Sequence, residues 1–177
     1  MLKVKNGDLD HLGLLYERYK KQLFGFFYNL NRDKDLSEDL VQNTFIRIIK
    51  YKHGFKGEGE FKSWMFHIAR NVNIDHFKKN KRNNETDSLE AWQEEATDDA
   101  ETQLSIDKEG NLQLLEKAID QLDYEKRELI TMSKIKGIKY KEIGEVLSCS
   151  EGAVKVKVFR ALRELKEVYE QILLKTN

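Results

Sequence analysis

Proline is missing altogether from these 177 residues, where average usage would supply about nine. Its absence removes the strongest helix breaker. With charged residues at 35%, it favours long solvated helices over sheet and turn, and the expected fold class is all-α. The single cysteine, Cys149, excludes an internal disulfide, and the four histidines are scattered without the spacing of a zinc site. No metal or other cofactor is implied. No apolar run approaches the roughly 18 residues of a membrane span, and Met1 to Asp10 mixes charges where a signal peptide would be apolar. The expectation is a cytoplasmic chain without membrane insertion. Length alone leaves one large core or two small ones open.

Net charge is also absent, but only as a sum. Lys and Arg against Asp and Glu count 17 to 10 over residues 1–82, 2 to 13 over 83–123 and 12 to 8 over 124–177, a profile of +7, −11 and +4. Two basic surfaces flank an acidic segment, and basic faces on small helical units point to a polyanion. Ordinary solvated helix faces would give the same profile.

Apolar residues from Leu12 to Leu30 recur in steps of three and four and predict one amphipathic helix. A second is expected from Asp35, where Asp35 and Glu38 have capping-box spacing and Leu36, Leu40, Val41, Phe45, Ile48 and Ile49 form the buried stripe. Three glycines mark Lys52 to Glu60 as a loop, and a third helix carries Phe61, Trp64, Met65, Ile68 and Val72 on one face. Residues 83–107 hold nine acidic and no basic residues with few apolar anchors, too little to offset ordering entropy. The expected organisation is an N-terminal domain over 1–82, an acidic linker over 83–111 and a C-terminal domain over 112–177.

The C-terminal pattern is the more specific. Tyr140 to Leu147 reads as a short helix, Ser148-Cys149-Ser150 as a turn, and Glu151 onward as a longer helix buried through Val154, Val158, Ala161, Leu162 and Leu165. Helices joined by so short a turn cross steeply. Ser150 is a good N-cap, and Gly144 lets the second helix pack close. At about 100° per residue, Gly152, Lys155, Val156, Phe159, Arg160 and Arg163 face outward, with Lys157 flanking them. A recognition helix reads base edges with its first turns while cations further along hold phosphates. Val156 and Phe159, wasted in water, suit a thymine methyl. The alternative is a helical hairpin with a solvated basic face. Cys149, in the turn, is read as a small half-buried residue without a role.

The strings SEDLVQNTFIRI, FKGEGEFKSWMFHIARNVNIDHFKKNKR and YKEIGEVLSCSEGAVKVKVFRALRELK together resemble the extracytoplasmic-function branch of bacterial sigma factors, over nearly the whole chain and in that family's order. The resemblance implies a factor that binds core RNA polymerase and directs promoter recognition, melting and transcription initiation, with an anti-sigma factor as a possible further partner. It places polymerase contacts at Asp39, Gln42, Asn43, Thr44 and Arg47, all read as exposed. It places capture of the melted minus-ten non-template strand at Phe55 and Asn71, with Lys56, Lys62, Arg70, Lys78, Lys79 and Arg82 as phosphate contacts. An exposed loop aromatic could stack on an unpaired base while a nearby amide reads its edge. Trp64 and Phe61 fit the core better. In duplex minus-thirty-five DNA the contacts would be Ser150, Glu151, Gly152, Lys155, Val156, Lys157, Phe159, Arg160 and Arg163. Val156, Lys157 and Leu162 depart from the family's usual residues, which bears on the sequence read.

No catalytic residues are expected. Gly54 and Gly59 have phosphate-loop spacing, but Glu60 stands where lysine is needed, and no strand precedes them. Two other readings remain. A stand-alone helix-turn-helix regulator would bind duplex DNA tightly without polymerase, and an adaptor would not touch DNA.

Overall fold

The computed structural model describes residues 1–8, 10–57, 61–84 and 106–176, and among them every regular element is helical. The chain divides into two compact units, Met1–Glu94 and Glu95–Asn177. Most of the acidic stretch over 83–111 lies outside the described residues.

The first unit contains α1 (Leu2–Lys5), α2 (Asp10–Asn31), α3 (Lys34–Lys50), a 3₁₀ turn (Lys52–Gly54) and α4 (Phe61–Asn84). Its core is built from Leu23, Phe26, Phe27 and Leu30 of α2, Leu40, Val41, Phe45 and Ile48 of α3, and Met65, Ile68 and Val72 of α4, all in the expected stripes, joined by Phe66 and Ala69 of α4, which were not expected there. Aromatic edges interlock across the helices, with Phe26 5.2 Å from Phe66 and Tyr16 4.9 Å from Phe45. Such edge-to-face pairs add about 0.5–1.5 kcal/mol each beyond area burial.

The start of α3 differs from expectation. Arg32 adopts a left-handed φ of 53°, which ends α2, and extended Asp33 then caps α3 by accepting a hydrogen bond from Leu36 N at 2.9 Å. Asp35 lies inside the first turn, where its charge complements the helix dipole. Helix α1 had no periodic signal because four residues are too few to show one, yet its Val4 is fully buried. Ile49, expected in the stripe, is partly exposed instead.

The second unit contains α5 (Ile106–Asp120), α6 (Tyr124–Ile130), a π-helical turn (Thr131–Ile135), α7 (Tyr140–Leu147) and α8 (Glu151–Thr176). Ala118, Ile119, Leu122, Ile130, Ala161 and Leu165 form one buried cluster, with Leu162, Val168, Tyr169 and Ile172 packed against it. Asp123 caps α6 through Lys126 N at 2.9 Å. Lys126 in turn bridges Asp123 at 2.6 Å and Glu164 of α8 at 2.7 Å. Beyond the π turn, Gly137 takes a φ of 64°, a conformation that glycine adopts without a Cβ penalty. Leu112 and Ile135, which continue the apolar periodicity of the sequence, are exposed.

Candidate polymerase and nucleic-acid interfaces

The helix-turn-helix forms as its residues dictate. At the end of α7 Ser148 turns left-handed with φ 54°, and Cys149 N donates to Gly144 O at 2.9 Å. Ser150 Oγ then accepts from Ala153 N at 3.1 Å, capping α8. Val154, Val158 and Ala161 are buried, as is most of Leu165. That leaves Ser150, Glu151, Gly152, Lys155, Val156, Lys157, Phe159, Arg160 and Arg163 exposed on one side of α8. Phe159 is 69% and Val156 49% accessible, an exposed apolar pair set among cations.

The cations of this surface are not equivalent. Lys155 pairs with Glu151 one turn back at 2.7 Å, and that carboxylate holds the ammonium above its usual pKa. Lys157 leans toward α6 and pairs with Glu125, with the same consequence. Arg163 is 3.5 Å from Glu167. Arg160 makes no ion pair among the described residues.

On α3, Asp39, Gln42 and Asn43 are exposed on one face. Thr44 is not, which corrects the expectation: it is fully buried, and its hydroxyl donates to Leu40 O at 2.7 Å. Position 44 follows Leu40 by four residues, which places it on the core side. Arg47 is partly exposed and tied to Asp75 of α4 at 2.6 Å. The exposed face instead includes Ile46, 60% accessible. Sequence reasoning passed over it, although position 46 lies seven residues from Asp39 and outside the Leu40, Val41, Phe45 and Ile48 stripe.

The minus-ten candidates divide in the same way. Phe55 is no exposed loop aromatic. It is buried, with its ring 5.4 Å from Trp64 and 6.0 Å from Phe61, and its carbonyl accepts from Lys5 Nζ at 2.9 Å. The 3₁₀ turn returns the chain onto the start of α4, where Phe61 and Trp64, both half-buried, offer a ring more apolar contact than water does. The aromatic that this segment leaves half in solvent is Tyr51, with Lys50 Nζ 5.6 Å from its ring centre. Asn71, Lys56, Lys78 and Lys79 are exposed, while Lys62 and Arg70 are partly covered. The side chain of Arg82 lies outside the described residues. Asn73, near Asn71 in sequence, is buried and accepts from Asn31 Nδ2 at 2.9 Å, so it serves packing between α2 and α4.

A basic helix-turn-helix in one unit and an exposed mixed polar and apolar helix face in the other are accompanied by matches to known families. Residues 15–83 match the family model for Sigma-70 region 2, and residues 112–165 match that for Sigma-70, region 4. The ECF RNA polymerase sigma factor SigX of Bacillus subtilis is 31% identical over 161 residues, covering 89% of this chain and 82% of the relative. This chain belongs to the ECF sigma factors. SigM of Bacillus subtilis is similar at 29% identity, covering 89% of this chain and 94% of SigM. Among solved structures, the sigma factor RpoE of Bartonella quintana, in complex with the anti-sigma factor NepR, superposes with a TM-score of 0.74 at 26% identity, covering 89% of this chain and 96% of that one. As a sigma factor the protein binds core RNA polymerase and directs promoter-specific transcription initiation. Among the described residues no helix is long and apolar enough to cross a membrane.

Proposed function

We propose that this sigma factor divides its work between two surfaces. The α3 face of Asp39, Gln42, Asn43 and Ile46 meets core polymerase, and the outward side of α8 reads duplex minus-thirty-five DNA. The observation that carries the reading is the exposed pair Val156 and Phe159 among Lys155, Arg160 and Arg163 on a capped helix after a tight turn. Apolar groups there suit thymine methyls, and the cations suit phosphates. Asn71, with the exposed lysines Lys56, Lys78 and Lys79, serves the melted non-template strand. The acidic stretch over 83–111 tethers domains over 1–82 and 112–177. The protein supplies binding and strand selection, with no catalytic step of its own, and acts in the cytoplasm beside polymerase. Because the Bartonella relative forms a complex with an anti-sigma factor, a similar inhibitor is proposed here.

The test is a gel shift of a promoter fragment with the full chain alone, with core polymerase alone and with both. Strong, sequence-selective binding only with both supports the proposal. Tight binding by the chain alone would favour a stand-alone regulator instead.

A further inference from the structure

Lys157 stands apart from the other cations of α8. Lys155 and Arg163 pair with carboxylates of their own helix one turn away, whereas the Lys157 ammonium reaches a different element, meeting Glu125 in the first turn of α6. Both side chains are open to water, at 44% and 63% exposure. An exposed pair of this kind contributes only about 0–1 kcal/mol to stability. The two helices are already joined by Lys126 bridging Asp123 and Glu164 and by Ile130 packing with Ala161 and Leu165. The pair is therefore poorly placed as cement. Its more direct effect is on the DNA-facing surface, because Lys157 adjoins Val156 and lies within one turn of Phe159 and Arg160, all exposed.

We propose that Glu125 is an intramolecular competitor of the DNA backbone: its carboxylate occupies Lys157 in place of a phosphate and weakens duplex binding by this unit whatever the sequence. Phosphate contacts position a protein without reading bases, and each one adds sequence-independent, salt-sensitive affinity. Silencing one such contact keeps the helix dependent on base edges and on polymerase. The inference rests on α8 being the duplex-reading helix.

The experiment compares wild type, Glu125→Gln, Lys157→Ala and the double variant, each as full chain assembled with core polymerase. Binding is measured to a promoter duplex and to the same duplex with a scrambled minus-thirty-five element, over a range of salt. Glu125→Gln should tighten both duplexes alike and steepen the log–log salt slope by about 0.9, one phosphate's worth. The advantage should thus shrink about 3.5-fold between about 50 and about 200 mM salt. The double variant should lose the gain. Unchanged or weaker binding by Glu125→Gln overturns the proposal, as does a gain that survives removal of Lys157, which would reflect net charge alone. A bridge with only a structural role would lower the unfolding midpoint and leave the slope untouched, which also overturns it. If wild-type holoenzyme failed to distinguish the two duplexes, the reading of α8 itself would fall, a result separable from any effect of Glu125.

Discussion

Gly144 of α7 lies against the carbonyl oxygen of Cys149 so closely that a β-carbon at position 144 would stand 2.6 Å from it. The same carbonyl belongs to the turn that launches α8, so it cannot retreat without shifting that helix. Gly144→Ala should destabilise the second unit by about 1–3 kcal/mol, as overpacking against backbone does. Hydrogen exchange should show lost protection in α7 and α8 with α3 and α4 unaffected. Equal protection in wild type and variant would mean that the turn yields freely.

Ile46 sits exposed among Asp39, Gln42 and Asn43, where removing it costs the isolated fold little. Ile46→Asp, or Asp39→Arg with Gln42→Ala, should sharply reduce co-purification with core polymerase while circular dichroism stays unchanged. Retention of polymerase at wild-type levels by both would place the contact on another face.

Phe55 and Asn71 should now behave differently from one another. Phe55→Ala empties a packed aromatic cluster and should cost about 3–5 kcal/mol of stability in the first unit. Asn71→Ala should leave stability intact and weaken promoter opening, read as reduced permanganate reactivity of minus-ten thymines with polymerase binding preserved. An Asn71 variant with unchanged reactivity would remove that residue from the strand-capture site.

On the proposed reading of α8, base reading and phosphate holding should separate by position. Changing Lys155 or Val156, near the N-terminus, should alter the preferred minus-thirty-five base at about 1–3 kcal/mol per lost contact. Arg160→Ala and Arg163→Ala should weaken all sequences alike and flatten the salt slope by about 0.9 each. Holoenzyme binding to a minus-thirty-five library at several salt concentrations provides both readouts. A base preference altered by Arg163→Ala would mean that the helix enters the groove differently.

Asp123 is held below the usual carboxylate pKa, chiefly by its hydrogen bond with Lys126. A lowered folded pKa adds stability above the unfolded value of about 3.9, and that stability is lost as pH falls through the lower folded value. Asp123→Asn keeps a capping oxygen but no charge. The wild-type advantage over this variant, measured by exchange in α6, should be full near neutrality and close as pH drops below about 4. An advantage that does not change with pH would assign the whole effect to the cap.

The elements easiest to read in advance were those whose signal is local. The helix-turn-helix over Tyr140 to Thr176 was legible because cap, turn and stripe lie within a few residues of one another: Ser150 caps, Gly144 fits under Cys149, and Val154, Val158 and Ala161 repeat at helical spacing. The α3 cap was displaced by two residues because Asp33 and Asp35 are both good cap residues. The choice between them lay in the left-handed turn at Arg32, which is a matter of backbone path.

Linear pattern was sufficient for the all-helical class, for a helix-turn-helix with an exposed basic side and for the exclusion of an internal disulfide, since each depends on residue type and short-range spacing. Which groups are available to a partner depended on contacts between elements. The burial of Phe55 comes from Trp64 and Phe61 on the next helix, and the restraint of Arg47 comes from Asp75, 28 residues away. The pairing of Lys157 likewise needs Glu125, 32 residues earlier. No helical period relates those positions, because what joins them is the folding of one element against another.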